Sequence, residues 1–241
     1  LGLLAGKILN SEEALSIKEV PSALLILGAG PEGCEFSFIF RGLGSKVILV
    51  EAKDRVLPGL DRDAGASLRR ALLERGVEIY AGETVSSVVT EGNGLKAMLQ
   101  SGAVFPVDAL LVSVGRVPNS KNLCLEKAGI QCDGRGAIVV NDLLKTNMDS
   151  IYAVGDVTGN FMMAHAASYQ GYWAADIIAG KQAVPDYNVM PSCVYTHPEV
   201  SQVGLDEETA KQKNIPYETG RFSLAALGAS YARGETQGFV K

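Results

Sequence analysis

The sequence holds little from which a metal or disulfide site is built. It has four cysteines in 241 residues, Cys34, Cys124, Cys132 and Cys193, and no two of them form a C-x2-C or C-x4-C pair. Scattered thiols of this kind read as reduced cysteines in a cytoplasmic protein. Only two histidines occur, and neither stands in a Cys/His cluster, which removes the usual material of a zinc site. Basic residues are outnumbered, 22 Lys and Arg against 27 Asp and Glu, for a net charge of -5. That balance disfavours nucleic acid and anionic membrane as partners. No apolar run is long enough to cross a bilayer. The opening Leu1-Gly2-Leu3-Leu4-Ala5 lacks the length and the basic flank of a signal peptide. With Leu1 in place of Met, it suggests that something has been removed from the front.

Apolar residues make up 47% and charged residues 20%, ordinary values for a globular chain that sustains its own core. Residues 1–19 show no clear period. Ala23 to Leu27 is a short apolar run stopped by Gly28, the pattern of a buried parallel strand. Residues 33–43 carry helical spacing and end at Gly42 and Gly44, and Val47 to Val50 is a second buried strand. Asp61 to Arg75 reads as an amphipathic helix with acids first and arginines last, stopped by Gly76. A third strand follows over 77–81. Residues 84–107 then alternate between polar turns at Gly92-Asn93-Gly94 and Ser101-Gly102, which predicts an antiparallel meander. Further strands are expected over 109–114, 137–140 and 151–154, and a long helix from about Met162 to Ala179, capped by Gly180. Pro185 and Pro191 mark a boundary, and Phe239-Val240 reads as a strand without a successor. The fold class is α/β: a Rossmann-like domain with an antiparallel meander, followed by smaller pieces.

The segment Gly28-Ala29-Gly30-Pro31-Glu32-Gly33 fits G-x-G-x-x-G, directly after a buried strand and at the opening of a helix. In that context the glycines allow a tight turn, close approach of a pyrophosphate, and helix–strand packing. The free amides of the helix start then face the anion. Glu51 ends the second strand, where an acid bonds the ribose hydroxyls of NAD and repels the extra phosphate of NADP. Lys53 and Arg55 are candidate phosphate ligands, but the favoured reading makes them solvated surface charges. Asp156, after Gly155 at a strand end, suits either a sugar hydroxyl or a turn cap. His165 and His197 are read as structural, and Tyr169, Tyr172 and Trp173 as packing residues.

Six motifs occur in one order: Gly28 to Glu35, Glu51, Gly115-Arg116-Val117-Pro118-Asn119, Tyr152 to Asp156, Met162-Met163-Ala164-His165, and Tyr195 to Glu199. Order and spacing together resemble the flavin- and pyridine-nucleotide-dependent disulfide reductases, among them the dihydrolipoamide dehydrogenase type. The resemblance implies NAD held by Gly28, Ala29, Gly30, Pro31, Glu32, Gly33, Cys34 and Glu35, with Glu35 toward the nicotinamide. It implies Val85 beside the adenine, Gly115 beside the nicotinamide, and Asp156 on FAD. Met162, Met163, Ala164 and His165 would lie under the flavin. It further implies a tail of an FAD domain over 1–19, an NAD domain over 20–143, a returning FAD segment over 144–187, and the start of a dimerisation domain over 188–241. In such enzymes a dithiol such as dihydrolipoamide reduces a disulfide, electrons pass to FAD, and hydride reaches the nicotinamide C4. The parent would be a homodimer.

Three parts of that pattern have no counterpart here: a first FAD glycine motif, the redox C-x4-C pair, and a His-Glu acid–base pair. No residue of this chain is therefore assigned as catalytic, and the chain is expected to be a piece of a longer enzyme, inactive alone. Glu32 also replaces an apolar residue of the pattern. Two alternatives stand beside this reading. One is an NADPH-dependent reductase of the mercuric or glutathione type, which places basic residues after the second strand. The other is a nucleotide-binding module without redox work.

Overall fold

The computed structural model describes residues 6–241, so the reading of Leu1 to Ala5 lies outside the described residues. Two compact units emerge. One runs to Val114 and resumes over Cys193–Lys241; the other is Gly115–Ser192.

The first unit begins with β1 (Ile8–Leu9), α1 (Ser11–Leu15), β2 (Ala23–Leu27), α2 (Pro31–Gly42), β3 (Lys46–Glu51), α3 (Arg62–Glu74) and β4 (Glu78–Ala81). Then follow β5 (Val85–Glu91), β6 (Gly94–Leu99), β7 (Val104–Val107) and β8 (Ala109–Val112). A parallel five-stranded sheet has the order β1-β8-β2-β3-β4. Leu25 of β2 stands between Ile48 of β3 and Leu110 of β8. Because side chains alternate along a strand, Leu24, Ile26, Val47 and Leu49 face Phe36, Phe40, Leu68 and Leu72 of the helices. Leu25, Ile48, Val50 and Leu110 face Leu95, Ala97 and Leu99 of the meander. Both faces are covered, which is why the strands are apolar without alternation. Each fully buried leucine or isoleucine contributes about 1.5–3 kcal/mol.

Local chemistry sets the boundaries. The Asp61 carboxylate caps α3 by accepting from the amides of Asp63 and Ala64, and Arg75 at the other end donates to the Ala71 carbonyl. Glu91 pairs with Gly94 across the expected Gly92-Asn93 turn. Residues 8–15, left without a clear period by the sequence, are structured: β1 joins the sheet beside β8. Helix α1 starts on a reciprocal cap, in which the Glu13 amide donates to Asn10 and the Asn10 amide to Glu13, at 2.9 and 2.8 Å.

In the second unit the one long helix is α4 (Ala164–Ile178), begun two residues later than expected. The strand expected over 137–140 is reduced to a single bridge between Cys132 and Ile138. Its donors go elsewhere, for Ala137 N–H is taken by the Asp133 carboxylate. The strand expected over 151–154 is likewise one bridge, Lys145 to Tyr152, flanked by the Thr146 amide and hydroxyl donating to the Ile151 carbonyl and by the Ala153 amide donating to the Leu144 carbonyl. Strand β8 stops at Val112, short of 114.

The chain continues through β9 (Ser192–Val194), β10 (Val200–Gln202), α5 (Glu207–Gln212), β11 (Phe222–Ser223), α6 (Gly228–Arg233) and β12 (Phe239–Val240). The last strand has a partner after all: Phe239 pairs with Ser223 and Val240 with Phe222. Val194 and Val200 join the same core as the helical face of the parallel sheet.

Candidate nucleotide-binding site

The glycine loop lies between the C-terminal end of β2 and the start of α2. Gly28 has φ +96°, and a Cβ there would overlap the Ser113 carbonyl oxygen. A Cβ on Gly33 would overlap the Gly28 carbonyl oxygen. These two positions therefore require glycine to bring helix and strand together. Gly30 differs: a Cβ there would meet nothing within 4 Å. The fold does not need Gly30, and the open space in front of it is what a pyrophosphate would fill. Helix α2 has Gly30 as its N-cap, Pro31 in its first turn and no side-chain cap, so its first amides are left for a ligand. Glu32, in that turn, places a negative charge that opposes an anion.

Glu51 is only 9% exposed. Its Oε2 accepts from the Ala29 amide at 2.7 Å and its Oε1 from the Lys53 amide at 2.9 Å. The Ala29 carbonyl in turn accepts from the Leu57 amide at 2.8 Å. The acid, the loop and the segment after β3 thus form one bonded assembly. The Cys34 thiol lies beneath it, 3.4 Å from the Ala29 carbonyl. Burial pushes this thiol up to about 12, and the charges of Glu35 and Glu51 add to the shift. Ser113, whose carbonyl abuts Gly28, carries a buried hydroxyl with no partner. A cradle with spare donors, open space at Gly30 and a buried acid fits the pyrophosphate and ribose of a dinucleotide.

The remaining residues are placed as follows. Glu35 accepts from the Tyr195 amide at 2.8 Å, so one of its oxygens is engaged within the protein. Val85 opens β5 opposite Leu99, half-buried against the meander core. Arg55 is not a solvated charge, which corrects that expectation. Its side chain is 21% exposed and forks onto the Glu208 carboxylate, while Lys53 remains at the surface. His197 lies tilted against Phe38, with ring centroids 6.3 Å apart.

In the second unit Gly115 lies outside any strand. Asp156 is half exposed, 4.0 Å from Arg116. Helix α4 begins after Met162 and Met163 without a side-chain cap, leaving the amides of Ala164 and His165 for a ligand. His165 Nε2 lies 2.6 Å from the Pro191 carbonyl, a structural contact. Gln170, buried to 1% exposure, ties the helix to the Asp156 turn: its Oε1 accepts from the Gly155 amide at 2.5 Å, and its Nε2 donates to the Tyr187 hydroxyl at 3.1 Å. Tyr187 stacks on Phe161 at 4.7 Å and meets Trp173 edge-on. Tyr172, by contrast, is 72% exposed and is not core. Gln170 and Tyr187 escaped the sequence reading. Their one signal was a polar residue on the buried face of a mostly apolar helix.

A family profile described as pyridine nucleotide-disulphide oxidoreductase matches residues 2–171, and its dimerisation domain matches residues 190–241. The chain belongs to the pyridine nucleotide-disulphide oxidoreductase family. Its mixed α/β architecture, with a parallel sheet and an antiparallel meander, accords with that of flavoprotein disulfide reductases, and the dimerisation-domain match accounts for residues 190–241. It is 39% identical over 234 residues to a dihydrolipoyl dehydrogenase of Chlamydia muridarum, covering 97% of this chain and 50% of that protein. A dihydrolipoyl dehydrogenase of Haemophilus influenzae is 37% identical over 238 residues, with 98% and 50% covered. Among solved structures, the HOCl-induced flavoprotein disulfide reductase RclA of Escherichia coli superposes with a TM-score of 0.88 at 33% identity, covering 97% of this chain and 54% of that one. The chain spans about half the length of the curated relatives it matches.

Proposed function

We propose that this chain is the NAD-binding part of an oxidoreductase of the dihydrolipoyl dehydrogenase type, selective for NAD over NADP. The observation that carries the reading is the buried Glu51 carboxylate, bonded directly to the glycine loop at the end of β3. An NADP 2′-phosphate would have to share that place with a negative charge, whereas ribose hydroxyls can donate to it. The residues proposed to hold NAD are Gly28 to Glu35, Glu51, Val85 and Gly115. Those proposed for part of FAD are Asp156 and Met162 to His165, at the uncapped start of α4, where amide dipoles favour negative charge. FAD, when bound, supplies the hydride chemistry between a dithiol and the nicotinamide. This chain's own residues bind and orient. Gly28 and Gly33 set the loop, Glu51 holds the ribose end, and Gln170 fixes the Gly155-Asp156 turn. The parent enzyme is read as a cytoplasmic homodimer acting on dihydrolipoamide or a similar dithiol, with its redox cysteines and acid–base pair outside these residues.

The test is a titration of the chain with NADH and with NADPH, followed by nucleotide fluorescence. Binding of NADH at least about tenfold tighter than NADPH, a difference of about 1.4 kcal/mol, is expected. Equal or tighter NADPH binding overturns the reading in favour of the NADPH-dependent reductases.

A further inference from the structure

The segment after Glu51 carries two cations of the kind that bind a 2′-phosphate, yet the structure deals with them differently. Lys53 is exposed. Arg55 is engaged within the protein: Nη1 donates to Glu208 Oε1 at 3.1 Å, Nη2 to Glu208 Oε2, and Nη2 also to the Pro58 carbonyl at 3.3 Å. This is the two-pronged guanidinium–carboxylate fork, stronger and more directional than an ordinary ion pair. The pair is half shielded, with Arg55 at 21% and Glu208 at 41% side-chain exposure, so solvent screens it only in part. Asp206 adds a further negative charge within reach of Arg55. The backbone on either side of Arg55 is fixed to the nucleotide cradle, because the Lys53 amide donates to Glu51 and the Leu57 amide to the Ala29 carbonyl. Arg55 is thus anchored beside the cradle by its backbone and committed to Glu208 and Pro58 by its side chain.

We infer that Glu208, in the first turn of α5, is a specificity-determining residue of the nucleotide site: it sequesters Arg55 and so withholds from a 2′-phosphate one of the two cations that follow Glu51. Selection against the phosphorylated coenzyme then has two parts, repulsion by Glu51 and removal of an attractive partner by Glu208. The inference rests on the NAD reading above and extends it to a residue 157 positions beyond Glu51 in sequence, from position 51 to position 208. Arg62 bridges two carboxylates on the same surface, with Nη1 3.9 Å from Glu208 and Nη2 3.5 Å from Asp54.

The experiment compares the chain with Glu208→Ala, Glu208→Gln, Arg55→Ala and the double variant Arg55→Ala/Glu208→Ala. Each is titrated with NADH, NADPH, AMP and 2′-phospho-AMP at low and high salt, with circular dichroism to confirm folding. Release of Arg55 in Glu208→Ala is expected to tighten NADPH and 2′-phospho-AMP by about threefold or more at low salt, an effect that salt reduces. NADH and AMP should stay within about twofold, and the double variant should lose the gain. Glu208→Gln, which keeps the shape of the fork, serves if Glu208→Ala does not fold and should give a smaller gain of the same sign. No gain for the 2′-phosphorylated ligands, or a gain that survives removal of Arg55, overturns the inference and leaves the NAD reading standing. Loss of all four ligands by a folded variant marks Glu208 as a plain tether of the loop and overturns it too. Tighter NADPH than NADH in the unaltered chain fails both readings at once.

Discussion

Replacing Glu51 by alanine removes more than a ligand for ribose. The carboxylate accepts from two backbone amides, at 2.7 Å from Ala29 and 2.9 Å from Lys53. Ala29 is fully buried, so its amide finds no water when the acceptor goes. An orphaned buried donor costs about 1–3 kcal/mol. Lys53 is exposed, and water replaces its bond at little cost. The expected loss of stability for Glu51→Ala is therefore about 1–3 kcal/mol, and most of it comes from the Ala29 amide. Glu51→Gln retains one acceptor oxygen and presents an amino group to the other amide, so its loss should fall between that of alanine and the parent. Equilibrium urea unfolding reads both, with NADH absent and then saturating. NADH at about 100 times its dissociation constant should return about 2.7 kcal/mol to any variant that still binds it. If Glu51→Ala without nucleotide unfolds within about 0.5 kcal/mol of the parent, the scatter of ordinary surface substitutions, then Glu51 does not hold the loop and the cradle described above is wrong.

The remaining predictions test the same unit. Gly30→Ala, which meets nothing, should leave the melting temperature unchanged and weaken NADH about tenfold or more, while Gly33→Ala, which overlaps the Gly28 carbonyl, should damage stability and binding together; equal effects of the two on stability would refute the distinction. The Cys34 thiol, raised to about 12 by burial and by Glu35 and Glu51, should resist a thiol reagent at pH 8 in the native state, while the exposed Cys124 and Cys132 react at once. Labelling of Cys34 at the rate of Cys124 would contradict its burial. The hydrogen bond from Lys241 holds the Asp63 carboxyl below its ordinary 3.8, and Glu207 is lowered by the same ammonium. A depressed folded pKa adds stability above the unfolded value and loses it as pH falls through the folded one, so the urea midpoint should drop between about pH 5 and pH 2. Lys241→Met should shrink that drop, and an undiminished drop would refute the role of this ion cluster.

What could be read from the sequence was what is local. Strand β2, the glycine loop, α2 and Glu51 lie within about thirty consecutive positions, and their chemistry is set by neighbours in sequence. The cap of α1 was equally local, since Asn10 and Glu13 stand three apart, but five residues give too little of the helical period to reveal the helix. The run over 137–140 has strand-forming residues, yet side chains and loop carbonyls take its donors, and propensity carries no record of that competition. Strand β12 was legible as a strand and illegible as a pair, because its partner is the two-residue Phe222–Ser223. Arg55 was misread for a different reason: its carboxylate lies 153 residues away, and nothing near it in sequence distinguishes a paired arginine from a solvated one.

These misreadings bear on how coenzyme choice is built. Glu51 serves the fold through the Ala29 amide and the proposed ligand through the same carboxylate, so the two demands cannot be changed separately. On the proposed reading, a neutral residue at 51 would lift the repulsion of a 2′-phosphate and loosen the loop proposed to bind the pyrophosphate. Glu208 has no such double duty toward the loop backbone, because its bonds to Arg55 are made between side chains. The Leu57 and Lys53 amides that hold this segment in place do not pass through either side chain. A shift toward the phosphorylated coenzyme should therefore begin more cheaply at Glu208, where the fold loses a partly exposed ion pair, than at Glu51, where it loses the acceptor of a buried amide.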